Sequence, residues 1–129
     1  MNIPKNLEEC YIRLIELNKW KQWNELYSWI NMNEKSATSD AHFSLGRWIR
    51  NNWGLWRQKG ELYTWFKANE INVPDDMSNI ILTSFHRHMN KLEIKLEEQF
   101  DDSIEYYLND KEKLLRQRKK KLNKIEDAH

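Results

Sequence analysis

The stretch PDDMSNIILTSFHRHMN, residues 74–90, decides how the chain folds. Pro74 suits an early helical position, where a missing N–H costs nothing, and Asp75 and Asp76 then place two carboxylates against the positive end of the helix dipole. Met77, Ile80, Ile81, Ser84, Phe85, His88 and Met89 recur at three- and four-residue steps, which predicts a helix with one stripe in a core. On that stripe His88 is an inward structural residue. His86 points to solvent or across to another helix.

Working back toward the N-terminus, HFSLGRWIRNNWGLW (42–56) predicts a helix that starts at Ser39 or Asp40 and turns Phe43, Gly46, Ile49 and Trp53 inward. Gly46 would let a neighbouring helix come close, and Asn52-Trp53-Gly54 supplies a stop, because Asn and Gly accept the left-handed conformation that ends helices. Leu55 to Lys59 reads as a connector and Glu61 to Asn69 as a short helix burying Leu62, Trp65 and Phe66. Residues 42–90 hold four of the seven tryptophans and all three glycines, the mark of a compact module. Before it, NMNEKSATSD (31–40) has the composition of a loop. Earlier still, Pro4 with Asn2 or Asn6 as a cap opens a helix over 5–18, with Leu7, Cys10, Tyr11, Leu14 and Ile15 at helical spacing. A second helical pattern places Trp20, Trp23, Tyr27 and Ile30 on one side.

Beyond residue 90 a brief break to Glu93 precedes a helix from about Ile94 to Ile125. Phe100, Ile104, Leu108, Leu115, Leu122 and Ile125 approximate a seam, but Lys111 and Arg118 interrupt it with charge, which argues against a stable coiled coil. The last part therefore reads as a helix that leaves the core and is ordered by a partner. Glu93 to Asp110 is acidic, including Asp101, Asp102 and Glu105, whereas Lys111 to Lys124 carries eight basic residues against Glu112 alone.

With 129 residues, 40% apolar and 32% charged, and only three Gly and two Pro, the chain predicts one all-α domain rather than a β fold. The expected architecture is a compact bundle of four to five helices spanning 1–93, followed by a long charged C-terminal helix with a basic end over 94–129. A net charge of +1 argues against a chain that binds nucleic acid or anionic lipid over its whole surface. Cys10 is alone, so no disulfide framework or cysteine zinc site is implied, and a reducing cytoplasm is the expected setting. No apolar run approaches the ~18 residues of a membrane span, and no secretion signal opens the chain.

Catalysis finds no pattern to rest on. His86 and His88 lie about 200° apart on a helix and cannot hold one ion, whereas zinc motifs use i, i+4 spacing. Asp75 and Asp76 are explained by the helix start, Cys10 by its apolar stripe, and no nucleophile elbow or glycine-rich phosphate cradle occurs. The expected catalytic, metal and cofactor sets are empty. The hydrolase alternative would need a metal and His42, Asp75, Asp76 and His86.

Binding has more to work with. Arg47, Arg50, Arg57 and Arg87 interleave with Trp48, Trp53 and Trp56, a mixture that suits protein hot spots and can stack on bases. Trp53 and Trp56, near the turn, are expected to be partly exposed. Arg116, Arg118, Lys119, Lys120 and Lys121 form a basic run able to neutralise phosphates or meet an acidic protein surface.

The pair HFSLGRWIRNNWGLW and PDDMSNIILTSFHRHMN resembles a family of small uncharacterised domains of bacteria and their phages. A tryptophan-rich helix-turn segment and a PDDMS-type helix ending in a His-Arg pair carry the resemblance, over about 50 of the 129 residues. It brings no established reaction. It implies that Arg50, Asn51, Asn52, Asp75, Asp76, His86 and Arg87 belong to one polar constellation, which an Arg50 or Arg87 bridge to Asp75 or Asp76 would explain. The functional expectation is a non-enzymatic, protein-binding regulator or inhibitor of phage, mobile-element or bacterial defence type, acting on a protein or protein–nucleic acid complex. The alternative is an RNA- or DNA-binding accessory protein using the basic helix and the Arg/Trp face.

Overall fold

A computed structural model describes the backbone of residues 3–21 and 23–127, and side chains outside 18–24 and 125–127. The expectations for Asn2, Trp20, Trp23 and Ile125 lie outside the described side chains. Among the described residues the fold is all-α: α1 (Leu7–Lys21), α2 (Trp23–Asn31), α3 (Glu34–His42), α4 (Leu45–Asn52), α5 (Glu61–Ala68), α6 (Pro74–Met89) and α7 (Leu96–Asp127).

Seven helices arise because the segment read as a loop, 31–40, is mostly α3. Asn33 caps it: its side chain accepts from the Ser36 N–H at 2.9 Å, and Glu34 places a carboxylate in the first turn. Ser39 and Asp40, expected to start the helix that carries Ile49 and Trp53, lie inside α3 instead, and Ser44 stands at the N-cap of α4. The chain then turns at Phe43 and Ser44 before α4. That turn throws Phe43 outward, 71% exposed, while Gly46, Ile49 and Trp53 go inward as their spacing requires.

α6 is the central element, packing most extensively against α3 and α4 and also against α1 and α7. Being surrounded, it buries a wide arc rather than one stripe. Met77, Ile81 and Phe85 form one row, and a second row four apart, Ser78, Leu82 and His86, is buried as well. Gly46 lies against this row: a Cβ there would touch Leu82 Cδ1 at 3.4 Å and crowd Arg50 Nη1 at 3.1 Å and the Ala41 carbonyl at 3.2 Å. The histidines consequently exchange places with expectation. His86 is buried, whereas His88, near the end of the helix, is exposed and stacks on the Tyr11 ring at 4.5 Å.

After α4, Gly54 adopts φ 78° and starts a tight turn in which the Lys59 N–H reaches back to the Gly54 carbonyl at 3.2 Å. Trp53 and Leu55 plunge into the core from either side of it. α7 begins with its first turns against the body: Phe100 is buried with its ring 5.6 Å from half-buried Trp65, and Ile104 packs on the core. From Glu105 to Lys124 every residue is exposed. No helix among the described residues is long and apolar enough to cross a membrane.

Candidate interaction surface

Two polar nodes hold the helices, and both draw in residues expected to bind. Arg50 is buried at 4% exposure, so it is no surface contact. Its Nη1 donates to Ser78 Oγ at 2.8 Å and its Nη2 to the His42 carbonyl at 3.1 Å, tying the ends of α3 and α4 to the start of α6. Nε lies 3.3 Å from Asp75 Oδ1, an ion pair off the line of a hydrogen bond. The Arg50–Asp75 bridge thus exists, and it is scaffolding. Asp75 and Asp76 sit in the first turn of α6, whose N-cap is Val73, with no side-chain cap bond. Burial, then the neighbouring charge of Asp75, raises the Asp76 carboxyl above the usual carboxylate range.

The second node is at the other end of α6. Arg87 donates from Nε and Nη2 to the two carboxylate oxygens of Glu34 at 2.6 and 3.1 Å, and from Nη1 to the Ile94 carbonyl at 2.6 Å. A forked pair of this kind is both directional and charge-assisted. The hydrogen bond from Arg87 holds the Glu34 carboxyl below its usual range, and Arg87 is raised in turn by the same bond. The twelve helical steps from Asp75 to Arg87 span about 18 Å, so the two nodes are separate. The single constellation implied by the resemblance is therefore divided. His86 belongs to neither node: its ring stands edge-on to Trp29 at 4.9 Å, buried, with no protein hydrogen bond at either nitrogen. Among the described residues no three His, Cys, Asp or Glu side chains gather as metal ligands, and His42, Asp75, Asp76 and His86 are no exception. Burial pushes the Cys10 thiol far up, away from nucleophilic use.

What remains on the surface is narrower than the sequence suggested. Trp53 is buried at 1% exposure, its ring 5.8 Å from that of half-buried Trp48, so it presents nothing to a partner. Asn52 is spent on the Trp48 carbonyl at 2.8 Å. Trp56, by contrast, is 52% exposed. Arg57 follows it, also exposed, and Arg47 and Asn51 occupy the exposed face of α4 one turn apart. The turn carrying Trp56 is fixed at several points. Its N–H faces the Arg50 carbonyl at 3.4 Å, Leu55 is anchored beneath, and Gly54, Gln58 and Gly60 take positive φ.

Two further surfaces are open, the first not foreseen from the sequence and the second foreseen in its basic run and in Leu108, Leu115 and Leu122. A cleft of about 530 Å³ opens between α1, α2, α3, α4 and α6, walled by Leu14, Leu26, Trp29, Met32, Leu45 and Phe85 with Glu25 and Asp40 at its edge. On α7, the exposed apolar residues Tyr106, Tyr107, Leu108, Leu114, Leu115 and Leu122 accompany the basic run Arg116, Arg118 and Lys119–Lys121, all of it exposed.

No curated protein and no solved structure matches the chain. Residues 3–89 match a family described as a domain of unknown function, DUF6794, a span that reaches from just before α1 to the last residue of α6. The match takes in α1 to α3 as well as the tryptophan-rich and PDDMS segments and stops before α7. The chain therefore belongs to the DUF6794 family.

Proposed function

We propose that the protein is a non-enzymatic, protein-binding regulator whose helical body presents a preformed aromatic-basic contact at Trp56 and Arg57, with Arg47 and Asn51 alongside. The observation that carries this is the half-exposed Trp56 on a turn already fixed by its own backbone. A large ring held in water is an unfavourable arrangement for the free protein, and a fixed turn removes the ordering cost of binding. Trp and Arg are also the residues most often found to dominate protein contacts. A partner of phage, mobile-element or bacterial defence type fits the resemblance of the two motifs.

The test is affinity capture from the native host with the wild-type chain and with Trp56→Ala/Arg57→Ala, alongside thermal melting of both. The expected result is a defined partner retained by the wild type and lost at least tenfold by the variant, with little change in melting. Equal retention of the same partner by both proteins would remove the Trp56 surface from the interface.

Nucleic-acid contact through α7 is a second reading, favoured by the exposure of Arg116, Arg118 and Lys119 to Lys121. Five phosphate contacts would make affinity fall by about two to three powers of ten between 50 and 200 mM salt. Anisotropy with labelled single- and double-stranded probes measures this. Lack of binding at low salt ends that reading.

A further inference from the structure

We infer that α7 pairs with the α7 of a second copy of the chain, antiparallel, about a two-fold axis near Lys113. The free length of α7, Glu105 to Lys124, is exposed throughout and amounts to about 30 Å of helix, of which only Tyr106, Tyr107 and Leu108 border clefts against the body. Isolated helices of such length are marginal in water, and this one carries Leu108, Leu115 and Leu122 seven apart, each about half-exposed. A seam of that spacing matches helix pairing, and it is too narrow for a lipid surface, since Lys111 and Arg118 lie within it.

The charge distribution selects both the occupant and its direction. From Leu96 to Asp110 the charged residues of α7 are all acidic, and from Lys111 to Lys124 eight are basic against Glu112. A parallel pair would set eight cations beside eight. Antiparallel, the basic end of one helix runs along the exposed acidic flank of the other, past Asp101 and Glu105, which the body leaves uncovered. With the axis near Lys113, Glu105 of each chain faces Lys119 of the other, and Leu114 meets its own copy. Leu115 and Leu108 then cover the aliphatic stems of Lys111 and Arg118 across the interface. The charges that break a parallel heptad thus keep their ammonium and guanidinium ends in water while their stems stay packed.

This pairing uses a different surface from Trp56, and it can fail while that one stands. The full-length protein examined by sedimentation should be a dimer at tens of micromolar and dissociate as salt rises. Leu115→Glu, which retains helix propensity, should raise the dissociation constant at least tenfold without changing melting of the body. Glu105→Lys alone should weaken pairing several-fold, and Glu105→Lys with Lys119→Glu in the same chain should restore it. Direction is read by mixing Glu105→Cys chains with Lys119→Cys chains under mild oxidation, where the mixed disulfide should predominate; Cys10 is buried and takes no part. A monomer at several hundred micromolar overturns the inference. So does a predominance of Glu105→Cys homodimers, the product of parallel pairing. Should the chain be monomeric and α7 bind nucleic acid instead, the basic end serves phosphates and the inference falls.

Discussion

The body of the molecule and its C-terminal arm use the same residue types for opposite ends. In the body, two arginines are consumed internally, Arg50 buried against Ser78, Asp75 and the His42 carbonyl and Arg87 forked onto Glu34, while Arg47 and Arg57 stay on the surface. On the arm, Arg116 and Arg118 lie in solvent, and so do the leucines between them and Asp110. A cation in a packed region is there because it satisfies groups that would otherwise be stranded, and its removal strands them again. An exposed cation on an unsupported helix contributes little to folding and is available for a partner.

The largest expected effect that would break this contrast is at Arg50. Arg50→Met should cost about 3 kcal/mol in urea denaturation, because Ser78 and the carbonyl of His42 lose their donor inside the core. A loss below about 1 kcal/mol would mean that the body tolerates the change as the arm would. Next is Gly54→Ala, where a methyl group would sit 2.6 Å from the Lys59 carbonyl at a φ of 78°. It should destabilise by about 2 kcal/mol, and because the same turn holds Trp56, partner capture should weaken with it.

Glu34→Gln comes third, at about 1 kcal/mol near neutral pH for a partly exposed forked pair. Its sign with pH is fixed by the lowered carboxyl. The stabilisation is complete above the ordinary carboxylate range and is lost as pH falls through the lowered folded value. Melting curves of wild type and Glu34→Gln should therefore draw together in acid, and a gap that widened there would contradict the assignment. Smallest is Leu122→Ala on the arm, expected to alter melting of the body by less than about 0.5 kcal/mol.

How much of this could be read in the chain follows the same division. α6 was legible at both ends, because Pro74, Asp75 and the row through Met77, Ile81 and Phe85 are local signals. The stop at Gly54 was legible for the same reason. His86 and His88 were misplaced because a single stripe describes a helix covered on one side, whereas α6 is covered on several. The row Ser78, Leu82 and His86 carries the i, i+4, i+8 signal of a second buried face, and its polar ends disguised it. α3 was missed because its residues, EKSATSDAH, are small and polar and bury only Ala37 and Ala41. Asn33 followed by Glu34 was the available cue. Glu34 as the partner of Arg87, 53 residues away, left no local trace, since only the packing of α3 on α6 brings them together. Trp53 and Trp56 show the limit most plainly. Both flank one glycine, and which of them faces water is set by the direction of the turn rather than by residue type.

Phe100 gives the family boundary a practical meaning. The match stops at Met89, yet this ring is corked into the body beside Trp65, and Gln99 donates to Ser84 Oγ at 3.1 Å. A fragment trimmed at the boundary would carry an uncorked apolar socket and should precipitate, whereas one ending after Ile104 should stay in solution.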